Sequence, residues 1–266
     1  MICTKGGFLT PDGEMPRDPG DYFRREYIET GILRAEDVAA GCHAMAPSFL
    51  ANQMARSLSN LGLECIDVYY LHNPETQLGE VSREEFRTRL RAAFEFLESA
   101  VTAGKIRVYG LATWNGFRVA EHGREYISLA DAVGTAREVG GEGHHFRVVQ
   151  LPFNLAMPEA FALANQEMSG RRVSMAEAAW ELGITLVASA SLLQGRVARN
   201  LPDSIKRVLG FKSDLHRALQ FARSAPGITT ALVGMSRAEH VRENLRLASV
   251  EPASSEQLAK LFDARP

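Results

Sequence analysis

One unit recurs along the chain: a short run of β-branched and aromatic residues, a polar loop, then an amphipathic helix with start and stop signals. The first run is Met1 to Thr4, ending at Lys5-Gly6-Gly7. A helix opened by Pro47 carries Leu50, Met54, Leu58 and Leu61 on one face and stops at Gly62, directly before the strand Ile66 to Leu71. Ser82 and Glu85 read as a capping box for a long helix with the stripe Phe86, Leu90, Phe94, Leu97 and Val101, ended by Gly104. The third strand is Ile106 to Leu111, and a helix from near Ser128 runs through Leu129, Ala132, Val133 and Ala136. Phe146 to Val149 forms the fourth strand. Ser174 and Glu177 cap the next helix, and Ile184 to Ala188 is the fifth strand. Ser213 caps a helix through Leu215 and Leu219, Ile228 to Val233 is the sixth strand, and Ser236 with Glu239 forms a third capping box. A last helix covers about Ser255 to Phe262.

Such alternation specifies one parallel sheet with helices outside. Strands dominated by Val, Ile and Leu fit a (β/α)8 TIM barrel, whose parallel strands are buried on both faces. Six strands are visible where a closed barrel has eight. A doubly wound sheet would show a Gly-rich phosphate turn after its first strand, and Lys5-Gly6-Gly7 is not one. The expectation is therefore a single barrel domain over 1–266 that is incomplete, with six of eight βα units and its N-terminal portion lacking. The dense turn formers between Pro11 and Gly20 make a loop too long for a simple connector, so it is an insertion or a functional lid.

Formal net charge is −2 with no lysine- or arginine-rich run, which leaves no footprint for nucleic acid. No stretch approaches the apolar length of a membrane span. Met1-Ile2-Cys3-Thr4-Lys5 does not read as a signal peptide, so none is expected. Cys3, Cys42 and Cys65, odd in number and without C-x-x-C spacing, read as buried thiols of a reducing cytoplasm. No metal set is expected: His72 has no H-x-H partner on its strand, and His144-His145, before the fourth strand, read as surface histidines.

In a parallel barrel, chemistry sits where strands end. The run Ile66 to Leu71 ends at His72-Asn73-Pro74-Glu75, so one histidine stands at a strand terminus, either as a loop-bonding structural residue or as a reactive one. The same face gathers Lys5, Thr113 with Asn115, Gln150, Ser189 with Ser191, and Ser236. Lysine and histidine on adjacent strand ends form a plausible acid/base or oxyanion pair. The loops Ser189 to Gly195 and Gly234 to Arg237 precede helix starts and suit phosphate, with Arg237 and Arg242 adding charge. A plain capped helix with solvated arginines is the competing reading.

Taken together and in order, these motifs resemble the aldo-keto reductase superfamily over essentially the whole chain. Cys3-Thr4-Lys5-Gly6-Gly7 looks like the strand ending in that family's catalytic lysine, and Leu58 to Glu75 places its catalytic histidine on His72. Gly104 to Gly110 resembles the segment leading to the nicotinamide-amide contacts, and Gln150 matches a glutamine that contacts the same amide. Ala188 to Gly195 resembles the cofactor loop, and Gly234 to Asn244 the adenine-ribose-phosphate segment.

The resemblance implies a cytoplasmic enzyme reducing an aldehyde or ketone to an alcohol with NADPH, with a small-molecule carbonyl substrate. Lys5 and His72 would be catalytic. Thr113, Gln150, Ser189, Leu192, Gln194, Gly195, Gly234, Ser236, Arg237, His240, Glu243 and Asn244 would contact the cofactor. The pattern departs where a serine-asparagine pair reads Ala112-Thr113, where a ring-stacking tyrosine becomes Ser189, and where Ser-Pro becomes Ala190-Ser191. The family's aspartate and proton-donating tyrosine would precede Lys5, so these 266 residues are expected to reduce carbonyls poorly. Tyr70, on the same strand face as His72, reads as core. The alternative is a non-catalytic nicotinamide-dinucleotide-binding module that regulates a partner.

Overall fold

The structure, a computed structural model, describes residues 1–263. The chain divides into two compact units, Met1–Val148 and Val149–Pro266. In the first, strands β1 (Cys3–Gly6), β2 (Ile66–His72) and β3 (Ile106–Ala112) pair in parallel. Strand β4 (Phe146–Pro152) runs through the boundary between the units. Four helices accompany these strands: α1 (Pro19–Phe23), α2 (Pro47–Leu61), α3 (Arg83–Thr102) and α4 (Leu129–Gly140). The second unit holds α5 (Glu159–Ala162), a hairpin of β5 (Gln166–Met168) and β6 (Arg171–Val173), and α6 (Met175–Glu181). It continues with β7 (Thr185–Ser189), α7 (Asp203–Leu209), α8 (Asp214–Ser224), β8 (Ile228–Ala231), α9 (Ala238–Leu245) and α10 (Ser255–Asp263). The sheet order is β1-β2-β3-β4-β7-β8, six parallel strands as the sequence pattern requires.

The register explains what reaches the site. Lys5 pairs with Tyr70 and Gly6 with Leu71, so β2 outruns β1 by one residue and carries His72 beyond it. Tyr69, Leu71 and Ile66 are fully buried, as are Phe94 of α3 and Tyr109 of β3, whose rings meet at 5.0 Å. Gly110 is dictated by β4, because a Cβ there would land on the Val148 carbonyl oxygen.

The long segment after β1 is packed rather than a free lid. Leu9, Tyr27, Leu33, Ala44 and Phe49 form a core of their own. The Tyr27 hydroxyl bonds the Thr10 carbonyl at 3.1 Å and receives Gln53 and Arg56 at 3.3 Å. The periodicity of Asp21 to Glu29 is hidden by charged residues, which is why α1 and the π-helical turn Arg24–Ile28 escape a sequence reading.

Several sequence expectations need correction. Ser82 caps α3 through the Glu85 N–H, but the Glu85 carboxylate turns to Arg89 at 2.7 Å, so no reciprocal box forms. Ser213 makes no side-chain cap; the neighbouring Asp214 carboxylate instead accepts the Leu201 N–H. Helix α9 begins one residue later than a Ser236–Glu239 box needs, with Arg237 at the N-cap and no side-chain cap. The Ser174–Glu177 box is present. Of the two histidines read as surface residues, His144 is buried, whereas His145 keeps a side chain that is 43% exposed. His144 is 5% exposed, and Glu98 of α3 binds both the His145 backbone N–H and Nδ1 at 2.6 and 2.7 Å. The cysteines are free, but Cys3 is exposed and Cys42 and Cys65 half-buried.

Candidate functional site

Lys5 and His72 come together in the N-terminal unit, at the ends of neighbouring parallel strands. The Lys5 ammonium lies 5.6 Å from the centre of the Tyr70 ring, and burial lowers its pKa from the usual lysine value while the Cys3 sulfur partly counters this. His72 is pushed down to about 4, first by burial and then by the Lys5 charge. It is therefore a neutral imidazole at physiological pH, able to donate an N–H without carrying charge. Tyr70 is 2% exposed and its hydroxyl is driven well above the ordinary phenol range by burial. It is core, as its strand position suggests.

The segment after β2 is built from groups that sequence reasoning missed. Asn73 takes a left-handed conformation (φ 46°), and its N–H bonds the Ala112 carbonyl at 2.6 Å. The preceding carbonyl, that of His72, accepts from Nε2 of the fully buried His43 at 2.7 Å. The Phe8 ring lies edge-on to both imidazoles, at 5.1 Å from His43 and 5.0 Å from His72. Gly7, at φ 142°, leaves the room for this, since a Cβ would crowd the His72 carbonyl and the His43 ring.

Glu75 is 2% exposed, and its Oε1 collects the backbone N–H groups of Trp114, Asn115 and Gly116 at 2.6, 2.9 and 3.3 Å. Burial raises its pKa, against the opposing pull of those donors. It thereby shapes the loop after β3 that holds Thr113, itself buried with an Oγ1 that has no hydrogen-bond partner. Glu75 closes the Leu58 to Glu75 stretch read from the sequence, but no sequence signal gives its role or that of His43, because their partners lie tens of residues away.

The C-terminal unit contains a cleft of about 830 Å³ lined by the loop after β7, the loop after β8 and helix α9. Leu192, Gln194, Gly195, Gly234, His240, Glu243 and Asn244, all named from the sequence, line it. Ser189, Ser236 and Arg237 do not line it, Gln150 is a buried residue of β4, and Thr113 belongs to the other unit. Two polar atoms of the cleft lining are buried without a hydrogen-bond partner: Oγ of Ser191, which is 1% exposed, and Oδ1 of Asn244. Leaving such groups unmade costs about 1–3 kcal/mol each. The loop is also strained. Ala190, Leu193 and Gln194 all hold positive φ, a conformation that clusters at ligand-binding segments. Among the described residues no group of three or more His, Cys, Asp or Glu could hold a metal ion, and no helix is long and apolar enough to cross a membrane.

The model of the aldo/keto reductase family matches residues 1–206. The chain belongs to the aldo/keto reductase family. A curated relative, aldo-keto reductase str7 of Strobilurus tenacellus, is 22% identical over 244 residues, which is 80% of this chain and 62% of the relative. This aldo/keto reductase chain thus spans less than two thirds of that relative's length. Among solved structures, the holo form of aldo-keto reductase AKR11C1 from Bacillus halodurans superposes with a TM-score of 0.63 at 14% identity, over 98% of this chain and 72% of the other. An aldo/keto reductase from Klebsiella pneumoniae, solved with NADP and acetate, gives 0.57 at 20% identity, over 82% and 65%. At these identities the likeness is one of fold.

Proposed function

We propose that this aldo/keto reductase chain binds NADPH in the cleft of its C-terminal unit and serves the reduction of an aldehyde or ketone to an alcohol. The observation that carries the proposal is the cleft. It is lined by seven of the twelve residues that the family resemblance assigns to the dinucleotide, and it presents two buried polar atoms, on Ser191 and Asn244, that a polar ligand would satisfy. The open space at Gly195 and Gly234 suits close approach of a ligand to the backbone. Exposed Ser236, Arg237 and His240 near the start of α9 would favour the 2′-phosphate of NADP over NAD.

NADPH, when bound, supplies the hydride. The protein's own part is to hold and polarise the carbonyl. Neutral His72 donates an N–H to the carbonyl oxygen, and the Lys5 ammonium, whose pKa burial lowers, favours the negative charge that develops there and would give the proton that completes the alcohol. That charge grows toward the transition state, so both groups act more on the transition state than on the substrate. A second reading, a dinucleotide-binding module without turnover, is favoured by one observation: the tyrosine ring beside Lys5 is that of buried Tyr70, whose hydroxyl holds its proton too tightly to act as the acid.

The test is cofactor oxidation followed by NADPH absorbance with a panel of aldehydes and ketones, beside equilibrium NADPH binding. Turnover lost in Lys5→Met and lowered in His72→Gln, with cofactor affinity kept, supports the reductase. Binding without turnover selects the second reading. Absence of NADPH binding overturns both.

A further inference from the structure

The hydrogen bonds behind His72 fix more than the strand end, and their donors and acceptors can be assigned without ambiguity. Arginine can only donate. Arg89 of α3 places Nη1 2.7 Å from the Gln77 oxygen, so the other end of the Gln77 amide is its NH2 group. That NH2 gives one hydrogen to Nδ1 of His43 at 2.9 Å and one to the His43 carbonyl at 3.1 Å. Nδ1 of His43 is therefore the bare nitrogen, and Nε2 carries the hydrogen that it donates to the His72 carbonyl. The chain of bonds runs one way, from Arg89 through Gln77 and His43 to His72. Arg89 is itself held by Glu85 and by the carbonyls of Glu36 and Asp37, so the arrangement is anchored on α3 and on the segment that carries His43.

This bond ends at a sensitive place. The peptide between His72 and Asn73 has its carbonyl bound by His43 and its N–H bound by the Ala112 carbonyl, and Asn73 is left-handed immediately after it. Both ends of that peptide plane are thus fixed, which sets the direction of the Cα–Cβ bond of His72. Phe8 then limits the ring from its side.

We propose that His43 is a positioning residue for His72: locked as the neutral Nε2–H tautomer by Gln77 and Arg89, it fixes the His72–Asn73 peptide and thereby aims the His72 imidazole at the carbonyl oxygen. The last clause rests on the function proposed above, whereas the hydrogen-bond geometry does not. His43 does not touch the reacting atoms. Its effect passes through the backbone of its neighbour, and misplacement by about an ångström can cost a hundredfold in rate.

The test uses the full chain and reads the imidazole nitrogens by isotope-edited NMR, together with kinetics. In the unsubstituted protein His43 should show a protonated Nε2 and a bare Nδ1 at neutral pH. His43→Leu should broaden or shift the His72 resonances and lower kcat by roughly tenfold to a hundredfold, with the Kd for NADPH unchanged. His43→Gln, which can still offer an N–H to the His72 carbonyl, should restore both readouts substantially. Gln77→Ala serves as the second variant should His43→Leu fail to unfold cooperatively, and it should reproduce the His72 change. A bare Nε2 on His43 would overturn the proposal. So would His72 resonances in His43→Leu and Gln77→Ala that match the unsubstituted protein. Absent turnover with the NMR pattern intact would refute the carbonyl-reduction reading and leave the positioning geometry standing.

Discussion

Replacing Glu75 tests whether a buried carboxylate, rather than the strand itself, shapes the loop that follows β3. Its Oε1 takes three backbone N–H groups, those of Trp114, Asn115 and Gly116, while Oε2 is buried with no hydrogen-bond partner. Glu75→Ala strands three donors and opens a void. Trp114 is 44% exposed, so water can reach part of the loop, and the low end of the usual penalty, about 1 kcal/mol per donor, applies. The expected loss is about 3 kcal/mol. Glu75→Gln keeps an oxygen for the three donors. It weakens those bonds, since charge-assisted ones are about twice as strong, but it removes the burden of burying a charge. These effects oppose each other, so the change should stay within about 1 kcal/mol.

The assay is urea unfolding followed by the fluorescence of Trp114, made the sole tryptophan by Trp180→Phe, since the chain has two. A pH series adds a sign. Burial raises the Glu75 pKa, so the folded state keeps its proton over an interval in which the unfolded chain has lost it. Stability relative to Glu75→Gln should therefore fall as pH rises through that interval. Glu75→Ala and Glu75→Gln of equal stability would refute the argument, because the oxygen would then hold nothing.

Acid should unfold the N-terminal unit early. His43 is held neutral, pushed down to about 4 from 6.5, mainly by burial. The unfolded chain binds a proton there that the folded one refuses, so stability falls as pH drops from 6.5 toward 4, by about 3 kcal/mol for this residue; His43→Gln should flatten that slope in a urea-midpoint series. Gly110→Ala should be among the most damaging single-methyl additions, because the new Cβ meets a backbone oxygen that cannot turn aside. Circular dichroism should show a melting point well below that of Gly134→Ala, where the added methyl meets open space.

Much of the fold is legible because strands and helices carry their own periodicity and punctuation. Pro47 and Gly62 bound α2 as read from the sequence. The Ser174–Glu177 box is equally visible because both partners lie within one turn. Local signals fail where a competing partner intervenes, as when Arg89 takes the Glu85 carboxylate away from its box. Short polar elements such as α1 and the β5–β6 hairpin bury too little to leave a pattern. For the site, Lys5 and His72 are readable because each ends a hydrophobic run. The residues behind His72 and the loop after β3 are not: His43, Gln77 and Glu75 matter only through contacts made across the fold, and nothing in their flanking sequence reports those contacts.

The cleft of the C-terminal unit bears the central claim, and NADPH titration of the full chain by calorimetry tests it most directly. Each of the Ser191 and Asn244 polar atoms should gain a partner on binding, so Ser191→Ala and Asn244→Leu should each weaken NADPH by roughly fivefold to tenfold, at about 1 kcal/mol per hydrogen bond. His72→Gln, in the other unit, should leave the affinity unchanged. NADPH that fails to bind, or that binds with the same affinity after both cleft substitutions, would contradict the account.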